Sequence, residues 1–197
     1  MKKAVNLLVF LILLPTLGFT QSTNEFDFIS PFHEGYASIK NGEKWAFIDK
    51  NGTITINYRD DLVPITIDNE NYPLFKNERC LIDQVINDVT YFGYINPSGN
   101  IVIKPQYINA TKFEYEKAIV IKLITQNLGY NNVLNKPVVT YKFQEVVIDK
   151  NGNELEHLTE LTPITLGRNI PKIKSKLISE NLIATIGENN KWHIKKI

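Results

Sequence analysis

The sequence predicts an all-β fold: tandem β-meander repeats stacked in one domain, with an open twisted stack preferred to a closed propeller. Three observations lead there. The segments "KWAFIDKNG", "TYFGYINPSG" and "FQEVVIDKNG" end in one kind of corner, at Gly52, Gly99 and Gly152. Their quartets, Trp45-Ala46-Phe47-Ile48, Phe92-Gly93-Tyr94-Ile95 and Glu145-Val146-Val147-Ile148, are joined by a truncated Trp192-His193-Ile194. First positions 45, 92, 145 and 192 thus lie 47, 53 and 47 residues apart. No stretch has convincing helical spacing; "TKFEYEKAIVIKL" comes nearest, but its β-branched run and its match to the other copies favour strand.

The first residues stand outside this pattern. "MKKAVNLLVFLILLPTLGFTQ" places Lys2 and Lys3 before an apolar run, then Pro15 and small residues, the order of a secretory signal peptide. The run is roughly half the ~20 residues a membrane-spanning helix needs. Residues 1–20 are therefore expected to be a signal peptide cut ahead of Gln21, and residues 21–197 a repeat domain of about four repeats, the last incomplete. The product is expected to be secreted or periplasmic, with no membrane insertion after cleavage. The only cysteine, Cys80, lies far downstream of the apolar run, so a lipid anchor is not expected and no internal disulfide can form. Loss of Lys2 and Lys3 leaves 20 basic against 21 acidic residues, a balance that favours neither nucleic acid nor an anionic membrane.

Within a unit the elements read strand, turn, strand, turn, strand. A mark precedes each quartet: "FHEGYASIK", "FKNERCLID", "FEYEKAIVI" and "SENLIATIG" each place a small residue five positions on, at Ala37, Cys80, Ala118 and Ala184. Cys80 thus occupies an alanine slot and is expected to be a small buried side chain. Asn41-Gly42 suits a type I′ hairpin turn between "YASIK" and "KWAFID". At Asp49-Lys50-Asn51-Gly52 the carboxylate can accept turn N–H groups while the glycine takes positive φ. "TITIN" then alternates Ile54 and Ile56 on one face, and in "NIVIKPQY" Pro105 is expected to close the strand. One such meander has too little apolar surface to fold alone, so neighbours must cover one another.

Two segments depart from the repeat. "TQNLGYNNVLNKPVVTY" (125–141) is an Asn-rich insertion, either a projecting loop or an extended hairpin, and "ELEHLTELTPITLGRNIPKIKSK" (154–176) holds two prolines; both are expected to be loops.

These residues resemble the WG (KWG) repeat family, whose units run F-x-E-G-x-A-x-V, then K-W-G-[YF]-I-D-x-x-G-x-[IV]-[IV]-x-P-x-[YF]. "FHEGYASIK", "KWAFIDKNG" and "FGYINPSGNIVIKPQY" carry the resemblance, which spans roughly residues 30 to 197. The structural repeat positions are Trp45, Gly52, Phe92, Gly93, Gly99, Gly152 and Trp192. The naming Trp-Gly pair is intact in no copy: Ala46 follows Trp45, Phe92 precedes Gly93, and His193 follows Trp192. The resemblance implies a repeat scaffold, with no common catalytic residues.

Nothing marks a reaction. The Asp49 and Asp149 corners lack the further oxygens of a calcium loop. His33, His157 and His193 have no short metal-ligand spacing, and no Gly-rich phosphate cradle occurs. Catalytic and metal residues, and cofactors, are expected to be none. Of the 2 Trp, 9 Tyr and 10 Phe, Trp45, Phe47, Phe92, Tyr94 and Trp192 fall at equivalent repeat positions and are expected to fill the core. Tyr130 and Tyr141 are better placed for exposure. The expected function is a non-catalytic exported scaffold binding a protein partner through the insertions. The alternative is a glycan-binding module using exposed aromatics, with a hydrolase a distant third. "NGT" at Asn51 and "NAT" at Asn109 match the glycosylation acceptor pattern and suit turns equally well.

Overall fold

Short β-branched runs divided by Asn, Asp and Gly turns bring most segments back beside their chain neighbours, and that is how the sheets form. The computed structural model describes residues 25–133, 135–167, 170–187 and 189–197; residues 1–20, expected to be a signal peptide, lie outside the described residues. In the first unit β1 (Phe28–Ile29), β2 (Ala37–Asn41), β3 (Lys44–Ile48) and β4 (Ile54–Arg59) pair in that order, followed by a small hairpin of β5 (Ile65–Ile67) and β6 (Glu70–Tyr72). The second unit is β7 (Cys80–Ile86), β8 (Val89–Ile95) and β9 (Ile101–Ala110). The third is β10 (Lys117–Asn131), β11 (Lys136–Asp149) and β12 (Glu154–His157), with β13 (Thr162–Ile164) also on β11. These two units share a seven-stranded sheet, because the end of β9 pairs with β10. The fourth unit is β14 (Lys176–Ser179), β15 (Leu182–Ile186) and β16 (Trp192–Lys196). The described chain is all-β, with several antiparallel sheets and no closed barrel or propeller, as an open stack requires.

The units stack through a repeated contact. Trp45 and Phe47 of the first unit lie in one core with Phe75, Cys80, Ile82 and Ile95 of the second. Tyr94, Ile103 and Tyr107 of the second lie in another with Phe113, Ala118, Val120, Val146 and Ile148 of the third. At the centre of each, an aromatic on the middle strand meets the phenylalanine that opens the next unit: Phe47 on Phe75 at 4.7 Å and Tyr94 on Phe113 at 4.8 Å between ring centroids. Such a pair adds roughly 0.5–1.5 kcal/mol to the burial of its rings. The small slot is filled as its alignment implies, with Ala37, Cys80 and Ala118 buried opposite Ile48, Ile95 and Ile148.

The three corners are built alike. The side-chain Oδ1 of Asp49, Asn96 and Asp149 accepts the N–H groups two and four residues on, at 2.8–3.1 Å. Gly52, Gly99 and Gly152 take φ of 77°, 79° and 85°. Each later corner also seats on the preceding unit. A Cβ at Gly99 would meet the Ile56 side chain and one at Gly152 the Ile103 side chain, both at ordinary van der Waals distance.

Several expectations need correction. Asn41 pairs with Lys44 inside the strands, so the turn is Gly42-Glu43 with positive φ only at Gly42, the II′ pattern and not I′. Ile54 and Ile56 do not share a face: a β-bulge between them leaves Ile54 exposed and Ile56 buried, and Ile101 and Ile103 repeat this. Pro105 does not close its strand. It sits in a bulge within β9, where no ladder N–H is required, and the strand runs on to Ala110. The segment from 154 is not all loop, since β12 and β13 pair with successive stretches of β11. The 125–141 insertion is the extended hairpin of its two options.

Bulge size follows the second quartet residue. Opposite Gly93, two steps along β8 (Phe92 to Tyr94) face four along β9 (Ile103 to Tyr107); opposite Ala46, two steps along β3 (Trp45 to Phe47) face three along β4 (Ile56 to Arg59). Beside Val146 the register is regular. The smaller the side chain, the more backbone folds over it: a Cβ on Gly93 would lie 2.6 Å from Pro105 N and 2.8 Å from Lys104 C. The glycine of the signature is therefore a close-approach residue for the third strand.

Candidate binding surface

Of the repeat positions, Trp45 and Gly93 are buried, Phe92, Gly99 and Gly152 are partly covered and Gly52 is exposed, and they do not converge on a pocket of reactive groups. Trp45 and Tyr94 are core residues, Phe92 packs at the edge of the second core, and the corner glycines shape turns. Trp192 departs from this pattern. It keeps the register of Trp45, pairing with Ile186 as Trp45 pairs with Lys40, yet it is half exposed with Lys176 Nζ 4.6 Å over its ring. That register places Ile183 opposite Lys195 as Ala37 stands opposite Ile48, so the small-residue alignment through Ala184 is off by one position.

The histidines are engaged singly. His33 Nε2 is 3.0 Å from the Tyr72 hydroxyl, His157 Nδ1 is 2.8 Å from Gln144 Oε1, and His193 lies against Gly187. No group of three metal-ligating side chains occurs among the described residues. Burial pushes the Cys80 thiol far up from its ordinary range, which leaves it a poor nucleophile. Asn109, one of the glycosylation-pattern asparagines, donates from its side chain to the Pro171 carbonyl at 2.9 Å.

An acidic groove lies where the first and second units meet, lined by Arg59, Asp60, Asp61, Asp83 and Gln84. Its guanidinium is committed, forking onto Asp61 at 2.5 and 2.6 Å and donating to the Gly99 carbonyl at 3.2 Å. Desolvation, then the charges of Asp61 and Asp60, raise the Asp83 pKa. Arg59 here clamps a strand of one unit to the corner of the next.

The extended hairpin is the exposed feature. β10 is paired by β9 over Val120–Lys122, and β11 by β13 over Tyr141–Phe143, so among the described residues the hairpin beyond Thr125 and Tyr141 has two strands with no third strand beside them. Leu128 is the extra residue of a bulge, with Asn127 Oδ1 accepting the Gly129 N–H at 2.8 Å. Near the tip, the Tyr130 hydroxyl donates to Asn135 Oδ1 at 2.6 Å. Leu128, Tyr130, Val133, Val138 and Val139 are all exposed on this arm, with Val133 at 93 %. At its base, Leu123, Thr125 and Tyr141 face Ile86, Val89 and Tyr91 of the β7–β8 hairpin across an open groove of about 550 Å³. Tyr130 is exposed as expected, whereas Tyr141 is partly covered as a groove wall.

A second arrangement escaped sequence reasoning. The turns Glu34-Gly35, Asn77-Glu78 and Tyr115-Glu116 have positive φ at both residues, the type I′ pattern. Each first residue that can accept reaches the next turn: the Glu34 carboxylate takes the Asn77 and Glu78 N–H groups, and Asn77 Oδ1 takes that of Glu116 at 2.9 Å. Lys150 ties Glu78 to Glu116 at 2.9 and 3.2 Å. The one available signal was Glu-Gly at 34–35, because its counterparts put Asn, Tyr and Glu where positive φ is uncommon.

Among the described residues no helix is long and apolar enough to cross a membrane. The family model described as "WG containing repeat" matches residues 25–45 and 92–122. Those stretches hold the opening strands and first turn of unit one, and the run from Phe92 through the third unit's turn. No curated protein and no solved structure matches the chain.

Proposed function

Since this chain is a WG repeat-containing protein, we propose that it is an exported, non-catalytic scaffold that holds out the β10–β11 arm to bind a protein partner. One observation carries this reading. Five apolar side chains, Leu128, Tyr130, Val133, Val138 and Val139, are exposed on a two-stranded projection that unit stacking does not require. The outward strand edges of such an arm suit recognition by strand addition, with main-chain hydrogen bonds for affinity and alternate side chains for choice. Export rests on the order of charge, apolar run and small residues before Gln21.

A photo-crosslinking residue at Val133 tests the proposal in the native host. A discrete protein adduct is expected from position 133, lost in a Leu128→Ser, Tyr130→Ser variant and absent when the probe is placed at Lys50 on a corner. Equal adducts from both positions would count against the arm. A glycan-binding reading is favoured by one observation, the half-exposed Trp192 ring. Saturable change in its fluorescence on titration with oligosaccharides would move the assignment there.

A further inference from the structure

The two ends of the stack expose the two halves of the contact that joins its units. Phe32 opens the first unit as Phe75 and Phe113 open the second and third, but it is 48 % exposed where they are 0 %. Ile29, opposite Ile39, is exposed likewise, while Leu62, opposite Ile82 in the same role, is buried. At the other end, Trp192 and Ile194 keep the register of Trp45 and Phe47, which receive Phe75. They are 51 % and 69 % exposed against 7 % and 1 %.

We propose that this protein associates head to tail with a second copy of itself, the Phe32 turn of one molecule docking on the Trp192–Ile194 face of the next. The first-to-second and second-to-third unit contacts are the template, an aromatic turn seated on the outer face of a middle strand. Charge supports the same pairing. Residues 25–36 carry three acids and no Lys or Arg, whereas residues 170–197 carry six Lys against two acids. Polar groups fit as well: the Glu34-Gly35 turn has the backbone of Asn77-Glu78 but no capping side chain among the described residues. The exposed Glu180 stands first in the fourth unit's loop, as Glu34 does in the first. The contact joins unlike surfaces, so it is heterologous and adds copies in one direction. It differs from the junction of the third and fourth units, where buried Glu145 accepts the Lys174 and Ser175 N–H groups.

Sedimentation velocity of the protein, at concentrations up to about 1 mM to cover a weak interface, tests this. Concentration-dependent dimers and longer species are expected, weakened by salt and accompanied by a blue shift of tryptophan emission. Phe32→Glu and Ile194→Glu change exposed side chains, so each should keep the native circular dichroism while remaining monomeric alone. Mixed one to one, they should form a heterodimer that grows no further, because one intact head meets one intact tail. A wild type that stays monomeric overturns the proposal. So does association that survives either substitution, or that is lost on mutating Leu128 and Val133 of the arm instead.

Discussion

The carboxylate of Glu34 accepts the N–H of Asn77 at 2.8 Å and that of Glu78 at 2.9 Å, so a side chain of the first turn closes the backbone of the second. Consecutive N–H groups in a positive-φ turn form a small anion-binding hollow, and here the protein supplies the anion itself. Glu34→Ala should cost about 1 kcal/mol of unfolding free energy in urea, the worth of exposed charge-assisted hydrogen bonds after solvent takes its share. Glu34→Gln should lose less, since one amide oxygen still accepts. An alanine variant as stable as wild type would show that water serves the turn equally well.

Gly93 lies under the bulged backbone of Ile103–Pro105. Gly93→Ala forces that backbone away and is expected to destabilise by about 3 kcal/mol, the upper range of overpacking. Ala46→Gly meets no such wall and should cost only about 1 kcal/mol, through chain entropy. Chemical denaturation of both variants checks the contrast, and equal effects would remove the link between residue size and bulge size.

The architecture was legible because turn chemistry is local. Asp or Asn followed three residues later by Gly marks a corner whatever surrounds it, and Cys80 in an alanine slot marks a buried position. What lay hidden depends on partners across strands. Nothing in "TITIN" says that two of its residues share one partner, so Ile54 points outward against the alternation. Pro105 reads as a stop unless Gly93 is known to lie beneath it. The arm was visible only as an insertion, because its pairing past Gln126 is decided by register with Val138 and Val139. The one-residue offset in the fourth unit was invisible for the same reason.

Asp149 carries a pH consequence. Burial alone would raise its pKa, but hydrogen bonds from Asn153, Asn151 and Gly152 overcome this and hold it below the ordinary carboxylate range. A folded value below the unfolded one stabilises above about pH 4 and is lost as pH falls through the folded value. Asp149→Asn should keep the corner, since Asn96 builds the same one, and should make the acid limb of the stability profile shallower. Asp149→Ala should cost about 1 kcal/mol at neutral pH, with two turn N–H groups left to water. Thermal melts from pH 2 to 7 decide it, and an acid limb that Asp149→Asn leaves unchanged would contradict the assignment.

Cys80 should resist alkylation in the folded protein and react only on unfolding, because it is buried and its thiol is held neutral. Cys80→Ala, which copies Ala37 and Ala118, should cost no more than about 1 kcal/mol. Rapid labelling by iodoacetamide under native conditions would place the side chain elsewhere.

Ile56 under Gly99 and Ile103 under Gly152 act as spacers between successive steps of the stack. Each later corner thus rests on an aliphatic side chain of the module before it, a seat made by a residue that also belongs to the shared core. Shortening either to valine should cost about 1 kcal/mol and slacken the footing of the next corner, so the joints between modules draw on the same methyl groups as the modules' own interiors.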